Sequence, residues 1–484
     1  MSYRSLFTAL ALCAAVRTAD AQIFEMSYGL PALTEQANRG VTQVHLCPGG
    51  GTISVGTNMP PAAPAVSRVY VVRTNPVGGP IWERMYDVLP GGGGETGESL
   101  VELRDGTGFV IAGGTRSVAA PRNAFLMKIR CDGLVDWVQT YHSPNDEVAL
   151  DVIQARSGDL AFGTRPGDLL VSGFSTVPGL GQSALLFRTT VTGGLIWNRR
   201  YDISARAAFN GLTEARPLAG TSTGDVVAAG FITNAALGER GYVARVSGNN
   251  GLFLGAPHCA AAYAGIGRAR FESVVSQSVA AAGSLVFAGS TSSAASPATD
   301  VFLVRTTLNP CMPIVQRRIG DNPVGAVANE IAFDMQEVMT PLGIAPAGAL
   351  ALTGSVTNPA VAGSDAFLLV TNPINLTPLA GSGRRYGNHL SGFEAGHSLF
   401  TLPNGFLIAG RTTTDFSGGV DPGDLYLVRA DTNGKTNCAA GWNPPLLNGG
   451  GVPAIVNPQP IPFLQQVTAP FATGVLATPV NACP

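Results

Sequence analysis

Chemistry in this chain must come from a short stock of side chains. There are five histidines, His45, His142, His258, His389 and His397, and seven cysteines in 484 residues. His389, Glu394 and His397 fall in one stretch, two imidazoles and a carboxylate of the kinds that hold a divalent cation. Their spacing follows no established ligand motif, and Glu394 also belongs to a series that recurs along the chain. Asp415, Asp421 and Asp424 lie among glycines and could offer oxygen ligands to calcium, although carboxylates in such loops are ordinarily solvated turn residues. The widest set is Glu35, Glu98, Glu147, Glu214, Glu272, Glu330 and Glu394. Gathered at one mouth of a channel, these carboxylates would bind a cation or a basic ligand. Recurrence in every repeat argues instead for a structural part, each carboxylate accepting backbone N–H bonds that lock one unit to the next. Arg73, Lys128, Arg188, Arg245, Arg305 and Arg429, a series broken by Thr371, take the same structural reading. No G-x-S-x-G elbow, phosphate-binding loop or H-E-x-x-H pair occurs. No cofactor is therefore expected, with calcium at the aspartate loop the single candidate.

A repeat carries these side chains. Seven times an apolar segment closes on a glycine, at Gly56, Gly113, Gly173, Gly230, Gly289, Gly354 and Gly410, at intervals of 56 to 65 residues. Residues 147–201 show one unit in full. Runs at 147–153, 169–173, 184–188 and 195–201 read as four strands, with Thr192-Gly193-Gly194 turning the last pair. No long segment has a helical period. Four antiparallel strands per unit of about 60 residues make a propeller blade. Runs such as Val69-Tyr70-Val71-Val72 are apolar on both faces, which suits sheets packed between two neighbours. Trp82, Trp137 and Trp197 each stand four residues before a tyrosine, at Tyr86, Tyr141 and Tyr201; Cys259 replaces the tryptophan before Tyr263, and Ile319 replaces the tyrosine in the fifth unit.

The expected fold is all-β: a seven-bladed β-propeller of four-stranded antiparallel blades over residues 22–442. Phe24-Glu25-Met26-Ser27-Tyr28-Gly29 matches Trp82-Glu83-Arg84-Met85-Tyr86-Asp87, so the chain opens on a fourth strand. Its natural place is beside Leu425–Arg429 in the last blade, where it would close the ring. Cys438 and Trp442 have the same four-residue spacing and compete for that slot. The Gly-x-Thr turn, the Asp-(aromatic)-Leu-Val-Arg strand and the Trp-x-x-x-Tyr strand are clear in Gly410–Thr412 with Asp424–Arg429 and in Gly289–Thr291 with Asp300–Arg305. They resemble those of bacterial seven-bladed β-propeller repeat proteins of cell surfaces and secretomes. The resemblance spans residues 22 to about 440 and implies the fold, but no shared catalytic residues.

The ends of the chain read differently. Residues 1–21 form a signal peptide: Arg4, an apolar stretch from Leu6 to Val16, and Ala19-Asp20-Ala21 as the cleavage site. Secretion or display at the cell surface is expected, with no other segment apolar enough for a membrane helix. A formal net charge of −2 without a basic stripe argues against a nucleic-acid partner. Six cysteines then remain, an even number that favours disulfides in an exported chain. The expected pairs are Cys47 with Cys131, from turns on one face of adjacent blades, Cys259 with Cys311, and Cys438 with Cys483 across the tail. That tail, residues 443–484, has nine prolines and no Asp, Glu, Lys or Arg, and is expected to pack on the propeller or dock a partner. Three functions follow. The leading one is a binding or scaffold module for an extracellular protein or glycan. The others are a protomer that self-assembles through residues 443–484, and a polysaccharide hydrolase or lyase with its site at the channel mouth.

Overall fold

The computed structural model describes Ile23 to Trp442 except 30–33, 61–65, 90–91, 118–120, 157–166, 180, 202–205, 217–223, 235–237, 254–258, 265–266, 294–297, 321–328, 359–362, 388–391, 414–422 and 437–439; beyond Trp442 it describes five short strands. Among the described residues every regular element is a strand. No helix there is long and apolar enough to cross a membrane.

The strands form seven antiparallel four-stranded blades. Blade 1 is Thr34–Gln43, Thr52–Met59, Arg68–Thr74 and Pro80–Tyr86. Blade 2 is Gly92–Glu102, Phe109–Ser117, Arg122–Ile129 and Val135–His142. Blade 3 is Asp146–Gln154, Leu169–Val177, Gly181–Thr189 and Leu195–Tyr201; blade 4 is Arg206–Glu214, Val226–Asn234, Gly238–Val246 and Cys259–Tyr263. Blade 5 is Gly267–Gln277, Ser284–Ser293, Thr299–Thr307 and Pro313–Ile319; blade 6 is Glu330–Glu337, Leu350–Asn358, Gly363–Thr371 and Gly383–Tyr386. Blade 7 takes three strands from Gly392–Leu402, Gly405–Thr412 and Asp424–Ala430, and its fourth from Phe24–Tyr28. The N-terminal strand thus fills the slot for which Cys438 and Trp442 also had the spacing.

Apolarity on both faces has its reason in the core. Seven buried clusters sit one at each blade junction, and the seventh joins Phe24, Tyr28 and Leu427 of blade 7 to Val41, Tyr70 and Met85 of blade 1. The blades therefore form a closed ring of seven, in which the inner edges are short and face the channel.

The recurring glycine answers to a bulge. All seven inner strands shift register near their middle, as between Ala149 and Asp151 opposite Gly173. The bulge drives a carbonyl onto the glycine of the second strand. A Cβ would lie 1.9 Å from the Val148 oxygen at Gly173 and 1.7 Å from the Ala395 oxygen at Gly410. No larger residue fits there.

The Trp-x-x-x-Tyr strand is a latch between blades. Each outer-strand tyrosine donates its hydroxyl to a turn carbonyl of the next blade: Tyr28 to Gly78 at 2.5 Å, Tyr86 to Gly133 at 2.8 Å, Tyr141 to Gly193 at 2.6 Å and Tyr201 to Gly251 at 2.7 Å. Tyr263 reaches Pro310 at 2.6 Å and Tyr386 reaches Gly434 at 2.7 Å. Ile319, buried at the same position, leaves the junction of blades 5 and 6 without this bond. Trp82 and Trp197 add indole N–H bonds to the Cys131 and Gly248 carbonyls of the next blade. The arginine series does similar work: Arg188 and Arg245 each pair with an aspartate of their own blade and donate across the junction to Gly248 and Leu308.

A disulfide joins Cys47 to Cys131 across blades 1 and 2, with Cα atoms 5.5 Å apart. Cys311 is also disulfide-bonded, to a side chain outside the described residues. The side chain of Cys259, and Cys438 and Cys483 entirely, lie outside them as well.

The tail runs round the rim. Ala440–Trp442 pairs with the outer strand of blade 6, Leu446–Asn448 with that of blade 5 and Ala454–Val456 with that of blade 4. Pro460–Ile461 follows on blade 3, Gln465–Thr468 on blade 2, and Val480–Asn481 on Phe24–Tyr28 of blade 7. Six blades thereby gain a short fifth strand. The peripheral run already begins at Ala440, slightly ahead of the boundary read at 443. Of the nine prolines only Pro460 falls inside a described strand, as expected for a residue that cannot donate to a ladder.

Candidate functional site in the central channel

A cavity of about 540 Å³ lies on the ring axis, within the range of small-molecule pockets. Inner strands of all seven blades line it, so its wall is the bulged stretch and the strand end of each repeat. Two tiers of hydrogen bonds close that wall.

The upper tier stands at the bulges. Asp151 accepts from Ser99 Oγ at 2.8 Å and from the Leu212 amide at 3.1 Å, tying blades 2, 3 and 4. Asp334 does the same from Ser273 Oγ at 2.9 Å and the Leu399 amide at 2.8 Å, tying blades 5, 6 and 7. Ser398 Oγ takes the Val41 amide at 3.2 Å and completes the circuit to blade 1. Bulge residues themselves reach sideways: Asn38 Nδ2 to the Gly97 carbonyl at 2.6 Å, Asn210 Nδ2 to Phe271 at 2.9 Å, and His397 Nδ1 to Ala37 at 2.7 Å.

The lower tier stands where inner strands turn into second strands. There a side chain of one blade accepts from the backbone amide of the blade before it. Glu102 takes His45 and Leu46, each at 3.0 Å, Gln154 takes Arg104 at 3.0 Å, and Glu214 takes Arg156 at 2.8 Å. Ser276 takes Arg216 at 2.8 Å, and Glu337 takes Ser278 at 2.7 Å and Val279 at 3.0 Å. The carboxylates of this mouth are thus spent on holding blades together.

Of the arginines at the same level, Arg104 also joins two blades. Arg104, Arg156 and Arg216 hold equivalent positions in blades 2, 3 and 4, each two residues after the side chain that makes the latch. Arg104 donates its guanidinium to the Gln154 and Ala155 carbonyls, both at 2.8 Å, which carries it toward Arg156. Arg156 and Arg216 line the cavity. Burial holds the Arg156 guanidinium below its ordinary range, with Glu214 opposing. Burial, then the neighbouring Arg156, pushes Arg216 down to about 10. Sequence reasoning passed over this trio; its signal was an arginine recurring two residues beyond a strand-end Glu or Gln.

The glutamate series separates into three positions. The residue that opens the inner strand, two past the invariant glycine on the partner strand, is Glu35, Glu95, Glu147, Ala207, Ala269, Glu330 or Glu394. Only four members of the proposed seven stand there. Glu98 and Glu272 sit in bulges, and Glu214 lies at the opposite end of its strand. The shift has a simple cause: spacing counted between repeats cannot see which residue a bulge leaves unpaired. Glu35, Glu95, Glu147, Glu330 and Glu394 are buried inside the blades and do not line the cavity; Glu272 does line it. Asn58 donates to Glu35, Thr115 to Glu95 at 3.3 Å, and Thr412 to Glu394 at 2.9 Å.

Glu147 accepts from Ser143 and from Ser175 Oγ at 3.0 Å. Burial pushes its carboxyl up to about 7 against those hydrogen bonds, and burial with Asp87 nearby pushes Glu95 up to about 7. An unfolded glutamate titrates near ~4.3, so between the two values the folded protein holds the extra protons. Their contribution to stability is complete below about pH 4 and is lost as pH rises through about 7. Glu147→Gln, neutral throughout, is expected to raise the thermal midpoint at pH 8 and to change it little at pH 5, read by circular dichroism. An equal change at both pH values would show that this carboxyl does not titrate within the fold.

Among the described residues no group of three or more His, Cys, Asp or Glu side chains stands at metal-binding distance, and each proposed ligand set extends beyond those residues. His389, Asp415 and Asp421 lie outside those residues. His397 is committed to the Ala37 carbonyl and packs edge-on against Phe333, ring centroids 4.9 Å apart. Asp424 opens the third strand of blade 7, where Asp300 and Asp365 stand in blades 5 and 6 and face Arg318 and Arg385.

No protein-family model matches the sequence, and no curated protein is similar to it. Among solved structures, the chain is similar to the GH93 α-L-arabinofuranosidase of Fusarium graminearum in complex with arabinobiose, at 12% identity and a TM-score of 0.39, covering 69% of this chain and 91% of that one. It is similar also to Sqt1 of Chaetomium thermophilum, at 12% identity and a TM-score of 0.40, covering 84% of this chain and 96% of that one. At such identity no activity passes from them to this chain.

Proposed function

We propose that this protein is an exported binding module that receives a protein or glycan partner at the lower mouth of its channel. The observation that carries this reading is the division of labour in the channel wall. The described carboxylates there hold blades together, while guanidinium groups stand open to the cavity. Such groups recognise and orient a ligand; the imidazole of His45 also lines the cavity, packed against Phe400, and is the group there that acid–base catalysis would use. The apolar leader at 1–21 and the Cys47–Cys131 disulfide support export. The tail's described strands pair with the chain's own blades, which favours a binding module over a protomer docked by its tail.

The test is a glycan array and an affinity capture with the mature protein, residues 22–484. Retention of a saccharide or protein in unaltered form is the expected result. Turnover of a captured saccharide would replace this reading with the hydrolase or lyase, and capture of nothing would remove it.

A further inference from the structure

We propose that Arg156 and Arg216 form an anion-binding site at the lower mouth of the channel, and that its ligand is a saccharide bearing carboxylate or sulfate groups. The inference rests on the binding-module reading and names the ligand class for the same cavity.

The argument begins with what surrounds the two guanidinium groups. Both line the cavity, on adjacent blades. Among the described residues neither has a carboxylate within ion-pair distance, although six other arginines of the ring, Arg130, Arg188, Arg245, Arg270, Arg318 and Arg385, do. The nearest candidates are otherwise engaged. Glu214 accepts the Arg156 backbone amide, Glu337 accepts two amides and the Ser278 hydroxyl, and Glu102 accepts the amides of His45 and Leu46. Asp151 and Asp334 each serve both carboxylate oxygens to blade-to-blade bonds. Arg216 Nε is shut off from solvent and has no hydrogen-bond partner among the described residues.

Glu214 opposes the charge of Arg156 and Arg216 but stands outside ion-pair distance of both guanidinium groups, and like charges gathered so closely cost stability unless a ligand uses them. Here three lie in succession, since Arg104 is drawn against blade 3 by its bonds to Gln154 and Ala155. Guanidinium is planar, holds its charge, and offers paired N–H donors that match a carboxylate or sulfate. The rest of the lining suits a sugar. Thr213 brings a hydroxyl to the lining, and Phe400 an aromatic ring. A cavity of about 540 Å³ admits one or two sugar rings and is too narrow for a folded domain.

The experiment uses the mature protein with its tail and disulfide intact. Four probes are titrated by calorimetry and by thermal shift: digalacturonate, a sulfated disaccharide, a neutral disaccharide of equal size, and inorganic sulfate. At least one acidic disaccharide is expected to bind and to raise the thermal midpoint, with affinity falling as salt rises, while the neutral disaccharide does neither. Which acidic arm binds decides between uronate and sulfate ester. Arg156→Gln and Arg216→Gln are each expected to weaken binding by about tenfold or more. Arg216→Lys should retain more of it than Arg216→Gln. Unliganded, the glutamine variants should melt at or above the wild-type midpoint, because removing a like charge relieves repulsion; this separates binding from a structural role. Three results overturn the proposal: equal binding of neutral and acidic disaccharides, unaltered binding by the double Gln variant, or response to inorganic sulfate alone, an adventitious ion only. If the array or the capture retains a partner and the double variant retains it equally, the binding-module reading stands and the anion site falls.

Discussion

Removing residues 22–29 behind an intact leader will yield a chain that does not close its ring. Phe24–Tyr28 contributes the whole fourth strand of blade 7, paired residue for residue with Leu425–Arg429. It buries Phe24 and Tyr28 against blade 1, each worth ~1.5–3 kcal/mol. Its Glu25 accepts the buried Tyr426 hydroxyl and that of Thr436. Without it, the Tyr426 hydroxyl would lose that bond at a further cost of about 1 kcal/mol. Tyr28 also makes the tyrosine latch from blade 7 to blade 1, through Gly78. Together these losses reach the order of the whole stability of a domain, about 5–15 kcal/mol. The expected result is a polypeptide without a cooperative thermal transition and with weakened near-ultraviolet dichroism. Tyr28→Phe, which removes one hydrogen bond, should cost only about 1 kcal/mol. A truncated chain that melts like the intact one would show that the ring closes by other contacts.

Truncation after Ala439 will act on the outside of the ring. The described tail strands cover the outer edges of blades 6, 5, 4, 3, 2 and 7 with backbone pairing. Once bare, each edge presents a row of unpaired N–H and C=O groups, the template for edge-to-edge association. Loss of the tail is therefore expected to turn a monomer into concentration-dependent oligomers, seen by light scattering, and to lower the thermal midpoint by several degrees. The blades should keep their own cores, because the seven apolar clusters of the described residues lie between blades. Charge on the tail would oppose such pairing, and residues 443–484 carry no Asp, Glu, Lys or Arg. The opposite outcome, an oligomeric full chain that becomes monomeric when shortened, would mean that the tail pairs between copies.

Much of the fold was legible because it is written seven times. The glycine inside each second strand, the tyrosine that ends the outer strand of six blades and the stray fourth strand at the N-terminus led to seven blades and a closed ring. The physical causes are a carbonyl pressed onto Gly173 and its equivalents, and a hydroxyl reaching a turn of the next blade. The tail's path was not legible. Its segments are two to four residues long, and a strand that short shows no period.

What the sequence by itself determined is therefore the unit, its count and the order in which units join, since these depend on local spacing and on burial at both faces. Only the tertiary structure decided which repeated residues share a position. Bulges add one residue to most inner strands and two to those of blades 1 and 2, and a count along the chain cannot tell Glu95, buried in its blade, from Glu98 in the bulge. In the same way Arg104, Arg156 and Arg216 are ordinary strand-end arginines until the ring sets their blades side by side, with Arg156 and Arg216 on the channel lining and the acids beside them hydrogen-bonded across blades.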